Sequence, residues 1–180
     1  MPTLNSNMRL EFAELQEMGV KAEVKNLLGE VSVMDTLTQD FVQVRMSKVS
    51  TLQMKKLPME NGDSVICVVK SFAGPEKESE LYFFSQEWKA LDTNPFLGGK
   101  RMEDLAETLV QKPDTMSESH FADLKAMIEP KMVSALLLQN ENALVVRLAS
   151  PLLSADDKKT VNVIKLQRKF NWNGKNFKES

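Results

Sequence analysis

The sequence is poor in the residues that build metal sites and nucleophiles, with one cysteine, Cys67, and one histidine, His120, among 180 residues. A single cysteine excludes an internal disulfide and every metal motif that needs several cysteines. A single histidine excludes a histidine-rich metal site, and any catalytic triad would depend on that one residue. Neither a nucleophile elbow nor a cysteine-centred signature accompanies them. The sequence therefore carries no local motif of a metalloenzyme or of a nucleophilic hydrolase.

Cys67 and His120 each fit an ordinary structural role. Cys67 lies in the apolar run 65–69, where we expect a buried and inert thiol. His120 falls in the first turn of a predicted helix, where we expect a partly exposed residue near the helix cap. We therefore predict no catalytic, cofactor-binding or metal-binding residues, and no cofactor.

Long hydrophobic runs are also missing. No apolar stretch approaches the roughly 20 residues that a membrane-spanning helix requires, so we expect no transmembrane segment. The first four residues show neither the basic nor the apolar region of a signal peptide, so we expect no leader within this chain. Because a leader is removed from a mature exported protein, its absence is no evidence for a cytoplasmic location.

What is present describes an ordinary globular chain. Hydrophobic residues make up 42% and charged residues 27% of the sequence, a usual balance for a protein with a packed core. We predict a single domain over residues 1–180, with a subdivision near residues 92–100 as the alternative. The 11 methionines are interpreted first as core-filling residues, and a methionine-lined groove is the alternative.

The charges are unevenly distributed, although the net charge is only −2. Such asymmetry is typical of a solvated surface, and a weak contact of the C-terminal hairpin with an anionic surface is the alternative. Phe170 and Trp172 alternate with Lys169, which indicates a half-buried hairpin rather than a stacking platform for nucleic acid. We expect no nucleic-acid partner. Residues 156–180 contain three acidic and seven basic residues, the latter being Lys158, Lys159, Lys165, Arg168, Lys169, Lys175 and Lys178.

The first half of the chain predicts one helix followed by a meander. Apolar residues at helical spacing predict a helix over residues 8–18, with Gly19 ending it. The period then changes to two, which predicts four to six antiparallel strands. The run 64–72 is apolar on both faces, so we expect a central strand covered on both sides. The predicted strands cover residues 20–25, 30–36, 41–47, 51–57, 64–72 and 80–84.

The second half predicts three shorter helices and two hairpins. Helices are expected around residues 102–109, over 118–128 with a capping box from Thr115, and over 155–164 with a cap at Ser154. The hairpins pair residues 132–139 with 143–149 and residues 166–172 with 175–178. This order predicts an α+β fold, an antiparallel meander sheet with helices packed on one face. Two degenerate helix-plus-strands repeats are the alternative, because residues 41–47 and 143–149 match weakly.

Three further patterns contain residue types that can carry chemistry. The segment Gly98-Gly99-Lys100-Arg101 lacks the spacing of a phosphate loop and is interpreted as a turn before a helix; a phosphate at that helix N-terminus is the alternative. The acidic pairs Glu103-Asp104 and Asp156-Asp157 fall in first helical turns, where they favour the helix dipole. Glu76, Glu78 and Glu80 form a third acidic group whose convergence the spacing alone does not establish.

Several stretches of the sequence carry a family resemblance, namely residues 2–7, 9–10, 21–29, 37–41, 62–69, 87–91 and 172–177, with the most specific block Ser50-Thr51-Leu52-Gln53-Met54-Lys55-Lys56-Leu57-Pro58. They resemble a Bacteroidales family of exported proteins known as domain of unknown function 3256. The resemblance implies a leader upstream of Met1 and a location in the periplasm or cell envelope. It brings no activity and no catalytic residues. The relatives carry a cysteine pair near the turn that reads Phe72-Ala73-Gly74-Pro75 here, so a disulfide at that loop does not carry over.

The leading hypothesis is a non-catalytic envelope protein that binds another protein or a small ligand through its sheet or loops. It rests on the missing catalytic motifs and on the resemblance. The alternative is a hydrolase whose acid pair is assembled from distant segments, and a cleft with convergent carboxylates would favour it. Whether the protein is an enzyme therefore stays open at this point, and the non-enzyme interpretation is favoured.

Overall fold

Runs of alternating polarity separated by short polar turns produce a meander in the first half of the chain. The computed structural model describes residues 4–129, 131–161 and 166–179. Its large sheet has seven antiparallel strands in chain order, so each strand pairs with its sequence neighbours. They are β1 (Glu23–Lys25), β2 (Val31–Leu37), β3 (Phe41–Arg45), β4 (Ser50–Pro58), β5 (Ser64–Ala73), β6 (Lys77–Phe84) and β7 (Ala90–Leu91).

The second half builds a small antiparallel sheet and three of the four described α-helices. The small sheet is ordered β11-β10-β9-β8, which leaves β8 and β11 as its edges. Its strands are β8 (Met132–Leu137), β9 (Ala143–Ala149), β10 (Gln167–Trp172) and β11 (Phe177–Glu179). The helices are α1 (Ser6–Glu17), α2 (Met102–Leu109), α3 (Glu118–Met127) and α4 (Ala155–Val161), with a 3-10 turn at Asn94–Leu97 before α2.

Helix α1 packs on one face of the large sheet, at the end formed by β1 and β2. Its first turn is capped by the Asn5 side chain, which accepts a hydrogen bond of 2.9 Å from the Met8 amide. Gly19 follows the helix with φ at 68°, a conformation that glycine adopts without steric cost. Phe12 anchors the helix in a small core with Val24 and Val44.

The small sheet packs on the opposite face of the large sheet, which we call the inner face; the face that carries α1 is the outer face. Strand β8 contacts β4, β5 and β6, so an edge strand of the small sheet lies against the large one. An edge strand has unpaired amides and carbonyls, and burying them without partners would cost roughly 1–3 kcal/mol each.

Polar side chains on the inner face hydrogen-bond to the free edge of β8. The Gln53 Oε1 accepts from the Leu137 amide at 3.0 Å, and its Nε2 donates to the Leu137 carbonyl at 3.4 Å. Ser79 donates to the Ala135 carbonyl at 3.4 Å, and Ser71 and Ser79 share a bond of 2.7 Å. These side chains are buried, and they join the two sheets.

The main core lies between the inner face, the small sheet and helices α2 and α3. β5 contributes Val65, Cys67 and Val69, each no more than 1% exposed. Strands of the small sheet and the two helices supply most of the remaining buried members, among them Leu105, Leu109, Leu124, Ile128, Leu137, Leu144 and Val146.

The predicted α+β fold with an antiparallel meander is confirmed. The sheet has seven strands rather than four to six, because β7 has only two residues and no periodicity to detect. The expected capping box at Thr115 is wrong, since Ser117 caps α3 by accepting a bond from the His120 amide. β5 is central, but it is covered on both sides for only part of its length, since Ile66 is half-buried. The expected end of the last helix, residues 162–164, lies outside the described residues.

Candidate functional site

The outer face of the large sheet carries a group of apolar side chains that are only partly covered. We call this group the aromatic face. Tyr82 and Phe84 have ring centroids 6.5 Å apart, and Phe84 and Trp88 have centroids 5.9 Å apart. Its members are Met54, Ile66, Tyr82, Phe84 and Trp88.

The strand register explains why the residues of β4, β5 and β6 meet on one face. Met54 lies opposite Val68, and Val68 lies opposite Tyr82. Ile66 lies opposite Phe84 in the next row. Residues paired across antiparallel strands project on the same face of the sheet. Helix α1 covers only the β1–β3 end of that face, so the β4–β6 part stays open.

The exposure of the aromatic face is uneven and highest at its aromatic tips. Trp88 is 58% exposed and Tyr82 is 42% exposed, whereas Val68 between the strands is 7% exposed. The Tyr82 hydroxyl donates to Glu80 Oε2 at 3.0 Å, and Lys70 Nζ lies 3.7 Å from the same oxygen. The hydrogen bond to Glu80, followed by burial, raises the pKa of Tyr82. Apolar rings with a charged border are typical of a protein-binding surface.

Trp88 occupies a strained position in the turn between β6 and β7. Its φ of 62° is the one positive value at a non-glycine residue in the part of the chain that the structure describes. The left-handed conformation costs an L-residue roughly 1–2 kcal/mol. The turn is closed by bonds from the Ser85 amide to the Lys89 carbonyl at 2.9 Å and from the Trp88 amide to the Ser85 carbonyl at 3.0 Å. A large exposed aromatic is therefore held where glycine or asparagine would be less strained.

A shallow groove of about 300 Å³ adjoins the aromatic face. Met54, Ile66 and Trp88 line it on one side, and the β2–β3 turn with Asp40 lines it on the other. The groove therefore extends the apolar surface toward a polar turn. This arrangement offers contact area and a few hydrogen-bonding groups rather than a catalytic constellation.

Lys55 binds the β2–β3 turn, which lies beside this groove. Its side chain is 1% exposed, and its Nζ lies 3.1 Å from Asp40 Oδ2 and 2.8 Å from the Gln139 carbonyl. The ammonium also lies 5.7 Å from the centre of the Phe41 ring. Burial alone would raise the pKa of Asp40, but hydrogen bonds from Lys55 and Thr38 outweigh it and lower that pKa. Lys55 thus joins the β2–β3 turn to the β8–β9 turn.

Cys67 and His120 take the positions expected of them. Cys67 is fully buried in β5, and burial raises the pKa of its thiol, which disfavours the reactive thiolate. His120 is exposed in the first turn of α3. The two residues lie in different elements, and neither borders the aromatic face.

The acidic pairs of α2 and α4 lie in first helical turns, as expected. Asp104 accepts bonds from both the amide and the guanidinium of Arg101. The side-chain bond from Arg101 is the main cause of the lowered pKa of Asp104. Because a carboxylate of the helix itself occupies this N-terminus, the alternative of a phosphate bound after Gly98-Gly99 has no support in the geometry.

Other carboxylates converge at two adjoining clefts between β6, α2 and the residues after α3. Glu78 and Glu103 line both clefts, whose volumes are about 470 and 410 Å³. Glu80 lines the first, and Glu129 lines the second beside Lys131. All four glutamates are exposed to solvent. Sequence spacing alone did not reveal that Glu103 approaches β6.

The basic C-terminal segment is largely neutralised by ion pairs. Arg168 pairs with Glu179, and Lys169 pairs with Glu141. The remaining pairs are Lys158 with Glu76, Lys159 with Asp156 and Lys175 with Glu60. Lys165 lies outside the described residues. Phe170 is buried and Trp172 is half-buried, as the half-buried hairpin prediction requires.

Two residues that organise these surfaces were missed from the sequence. Trp88 enters the sequence analysis only as part of the matching residues 87–91, and its strained φ has no sequence signal apart from the neighbouring polar residues of a turn. Lys55 lies in the predicted strand 51–57, and its burial is not part of that prediction. An alternation test places Gln53, Lys55 and Leu57 on one face, which was a detectable sign that polar residues share the core side.

Over residues 4–129, 131–161 and 166–179, no helix is long and apolar enough to cross a membrane. Within the same ranges, no group of three or more histidine, cysteine, aspartate or glutamate side chains could hold a metal ion.

Comparison with known proteins gives a family and a fold. A family model described as "Protein of unknown function (DUF3256)" matches residues 1–177. A solved structure of a domain of an uncharacterized protein from Porphyromonas gingivalis W83 has a similar fold, with a TM-score of 0.77 and 22% sequence identity. The similarity covers 100% of this chain and 92% of that one. No curated protein matches the sequence.

Proposed function

The chain belongs to the DUF3256 family of proteins of unknown function, and from that premise we propose that it is a non-catalytic binding protein whose aromatic face docks a protein partner. The observation that carries the proposal is Trp88, a large aromatic held exposed at a positive φ. Strain of this kind persists where the surrounding structure enforces it, and it concentrates at functional positions.

The composition of the aromatic face supports a protein partner. Trp, Tyr, Phe and Met are enriched in the cores of protein interfaces, whereas charged residues lie at their borders. Trp and Tyr also supply most of the residues whose truncation weakens binding strongly. Here Tyr82, Phe84 and Trp88 form the centre, and Lys70 and Glu80 lie at the border.

Location in the periplasm or cell envelope is part of the proposal and rests on the family resemblance. Fractionation of cells that express a tagged full-length protein tests it directly. We expect the tag in the envelope or periplasmic fraction. A tag confined to the cytosolic fraction would remove this part of the proposal and leave the docking surface to be tested separately.

Site-specific photo-crosslinking tests the docking surface. A benzophenone amino acid placed at Tyr82 or Trp88 should give a discrete adduct with a host protein. The same probe at Leu152, which is 76% exposed on another surface, is the matched control and should give none. Adducts of equal yield at all three positions, or none at the aromatic face, would contradict the proposal.

The partner identified in this way allows a quantitative test. The double variant Trp88→Asn with Tyr82→Ser should weaken its affinity by about tenfold or more, because interface aromatics dominate binding energy. Leu152→Ser should leave the affinity unchanged. Both can be measured by calorimetry on purified proteins.

A hydrolase is the second candidate function, favoured by the convergence of Glu78 and Glu103 on the same two clefts. Paired carboxylates from distant segments are the usual machinery of glycoside hydrolysis. A panel of chromogenic glycosides would reveal turnover, which Glu103→Gln should abolish and Glu87→Gln, on the β6–β7 turn, should not. Absence of turnover over the panel, or turnover insensitive to Glu103→Gln, would count against this candidate.

A further inference from the structure

A further cleft lies on the inner side of the large sheet, away from the aromatic face. It has a volume of about 420 Å³, within the range of roughly 300–1,000 Å³ that small-molecule pockets occupy. The large sheet and the small sheet each line one wall. We call it the polar cleft, because its large-sheet wall is polar and its small-sheet wall presents Ser134, Arg147 and Gln167 among apolar residues.

Cross-strand pairing arranges these polar side chains in two rows. On the large sheet, Thr51 lies opposite both Arg45 and Ser71. On the small sheet, Arg147 lies opposite both Ser134 and Gln167. All six line the polar cleft. Each wall therefore presents one arginine together with neutral hydroxyl or amide groups.

The base of the polar cleft is rigid because its hydrogen bonds join the two sheets. Gln53 and Ser71 both line the cleft, and both are at most 9% exposed. Gln53 is bonded to Leu137 of β8, and Ser71 is bonded to Ser79. A site built on rigid strands needs little ordering when a ligand binds.

Several groups on the walls, in contrast, have unused hydrogen-bonding capacity. The side chains of Thr51, Ser134, Arg147 and Gln167 make no hydrogen bond or ion pair with any other residue that the structure describes. Ser134 is 9% exposed and Thr51 is half-buried, whereas Arg147 and Gln167 are exposed at the mouth of the cleft. These four side chains are therefore available to a ligand that enters the cleft, and none of them has to break a bond within the described part of the chain to bind it.

The charge of the cleft favours an anionic ligand. Arg45 is neutralised by Asp35, with Nε–O distances of 2.9 and 3.0 Å. Glu76 at the rim is neutralised by Lys158. Arg147 keeps an uncompensated charge among the described residues. A planar guanidinium matches a carboxylate through two parallel hydrogen bonds.

The weak match between residues 41–47 and 143–149 concerns two segments that both line this cleft. Residues 41–47 and 143–149 place Arg45 and Arg147 at corresponding positions, and the structure brings both arginines to the same cleft from different sheets. The two arginines differ in their ion pairs. Arg45 is paired with Asp35, whereas Arg147 has no carboxylate partner in the described part of the chain.

We propose that the polar cleft binds a small hydroxylated carboxylate, of which a hexuronate is the simplest sugar example. Arg147 binds the carboxylate, and Thr51, Ser134 and Gln167 bind the hydroxyl groups. The proposal is independent of the aromatic face, which lies on the opposite side of the large sheet. Failure of one therefore leaves the other standing.

Titration calorimetry with glucuronate, galacturonate and glucose tests the proposal on the intact chain. We expect saturable binding of at least one uronate at roughly millimolar concentration or below. Glucose, which lacks the carboxylate, should bind at least about tenfold more weakly. No saturable binding of either uronate, or equal binding of glucose, would overturn the proposal.

Uronate binding by variants of Arg147 tests whether the ligand lies in the polar cleft. Arg147→Gln should weaken uronate binding by about tenfold or more, and Arg147→Lys should weaken it less, because lysine keeps the charge but not the fork. Arg9→Gln, on the exposed surface of α1, is the charge-matched control and should leave binding unchanged. Thermal unfolding of each variant confirms that it folds. Binding that Arg147→Gln does not affect would place the ligand elsewhere and overturn the assignment.

Discussion

On strand β4, the two faces of the large sheet differ in an unusual way: polar residues are buried on the inner face, and the apolar residue between them is partly exposed on the outer face. Gln53 and Lys55 are polar, and they are buried on the inner face at 4% and 1% exposure. Met54 lies between them, is apolar, and is only half-buried on the outer face. Polar residues are normally the exposed ones. The difference shows that burial here follows what each face contacts. On the inner face β4 meets a strand edge that needs hydrogen bonds, whereas on the outer face helix α1 covers the β1–β3 end and leaves the β4–β6 part open.

The largest expected effect comes from removing the hydrogen bonds of the inner face. Gln53→Leu keeps the volume but leaves the amide and carbonyl of Leu137 without side-chain partners. Each buried unsatisfied group costs roughly 1–3 kcal/mol, so we expect a loss of about 3 kcal/mol in the free energy of unfolding. Denaturant titration measures it. The neighbouring change Met54→Gln on the outer face is the control and should cost less than about 1 kcal/mol.

Equal costs for the two variants would contradict the contrast between the faces. A Gln53→Leu variant as stable as the wild type would also show that β8 does not depend on the side chain that bridges it to β4.

An intermediate effect is expected at the Lys55–Asp40 pair, which joins the inner face to the polar turn. The pKa of Asp40 is lowered in the folded state, so its contribution is present above the ordinary value of about 3.9 and is lost as the pH falls through the lowered pKa. Asp40 is 47% exposed. Solvent screening therefore limits the loss in Asp40→Asn to about 1 kcal/mol at neutral pH.

The measurement is the difference in unfolding free energy between wild type and Asp40→Asn at pH 7 and at pH 3. We expect a difference at pH 7 that shrinks toward pH 3, because the carboxylate of the unfolded state protonates first and that of the folded state, with its lowered pKa, follows at lower pH. A difference that is constant over this range would show that Asp40 contributes by packing rather than by charge.

The smallest effect on stability is expected at the aromatic face. Trp88→Asn removes the ring contact with Phe84 but relieves the strain at positive φ, because asparagine tolerates that conformation. The two effects nearly cancel, so we expect a change within about 1 kcal/mol. Trp88→Ala loses the ring and keeps the strain, and it should therefore be less stable than Trp88→Asn in thermal unfolding. The reverse order would indicate that the turn is not strained at this residue.

Much of the fold could be predicted from local patterns. The period-two runs located six of the seven strands of the large sheet. The capping residue Asn5 and the glycine Gly19 marked the two ends of α1. The hairpin of β8 and β9 and the cap at Ser154 also follow from spacing alone. These features depend on residues close in sequence, whose interactions are the same wherever the element lies.

The candidate sites could not be predicted in the same way. The polar cleft depends on Thr51 and Arg147 approaching from different sheets, and Glu103 reaches β6 only after α2 has packed. The burial of Lys55 depends on the Gln139 carbonyl, 84 residues away. No local pattern encodes these distances.

By itself the sequence determined the α+β class, the order of the elements, the inert burial of Cys67 and the resemblance to a family whose membership is now shown. Only the tertiary structure decided which face of the large sheet is covered, and so which side chains are left free to bind. The physical reason is that strand alternation assigns each residue to a face but does not specify what packs there. When β8 packs on the inner face, Gln53 becomes a buried bridge, while Trp88 on the other side stays exposed.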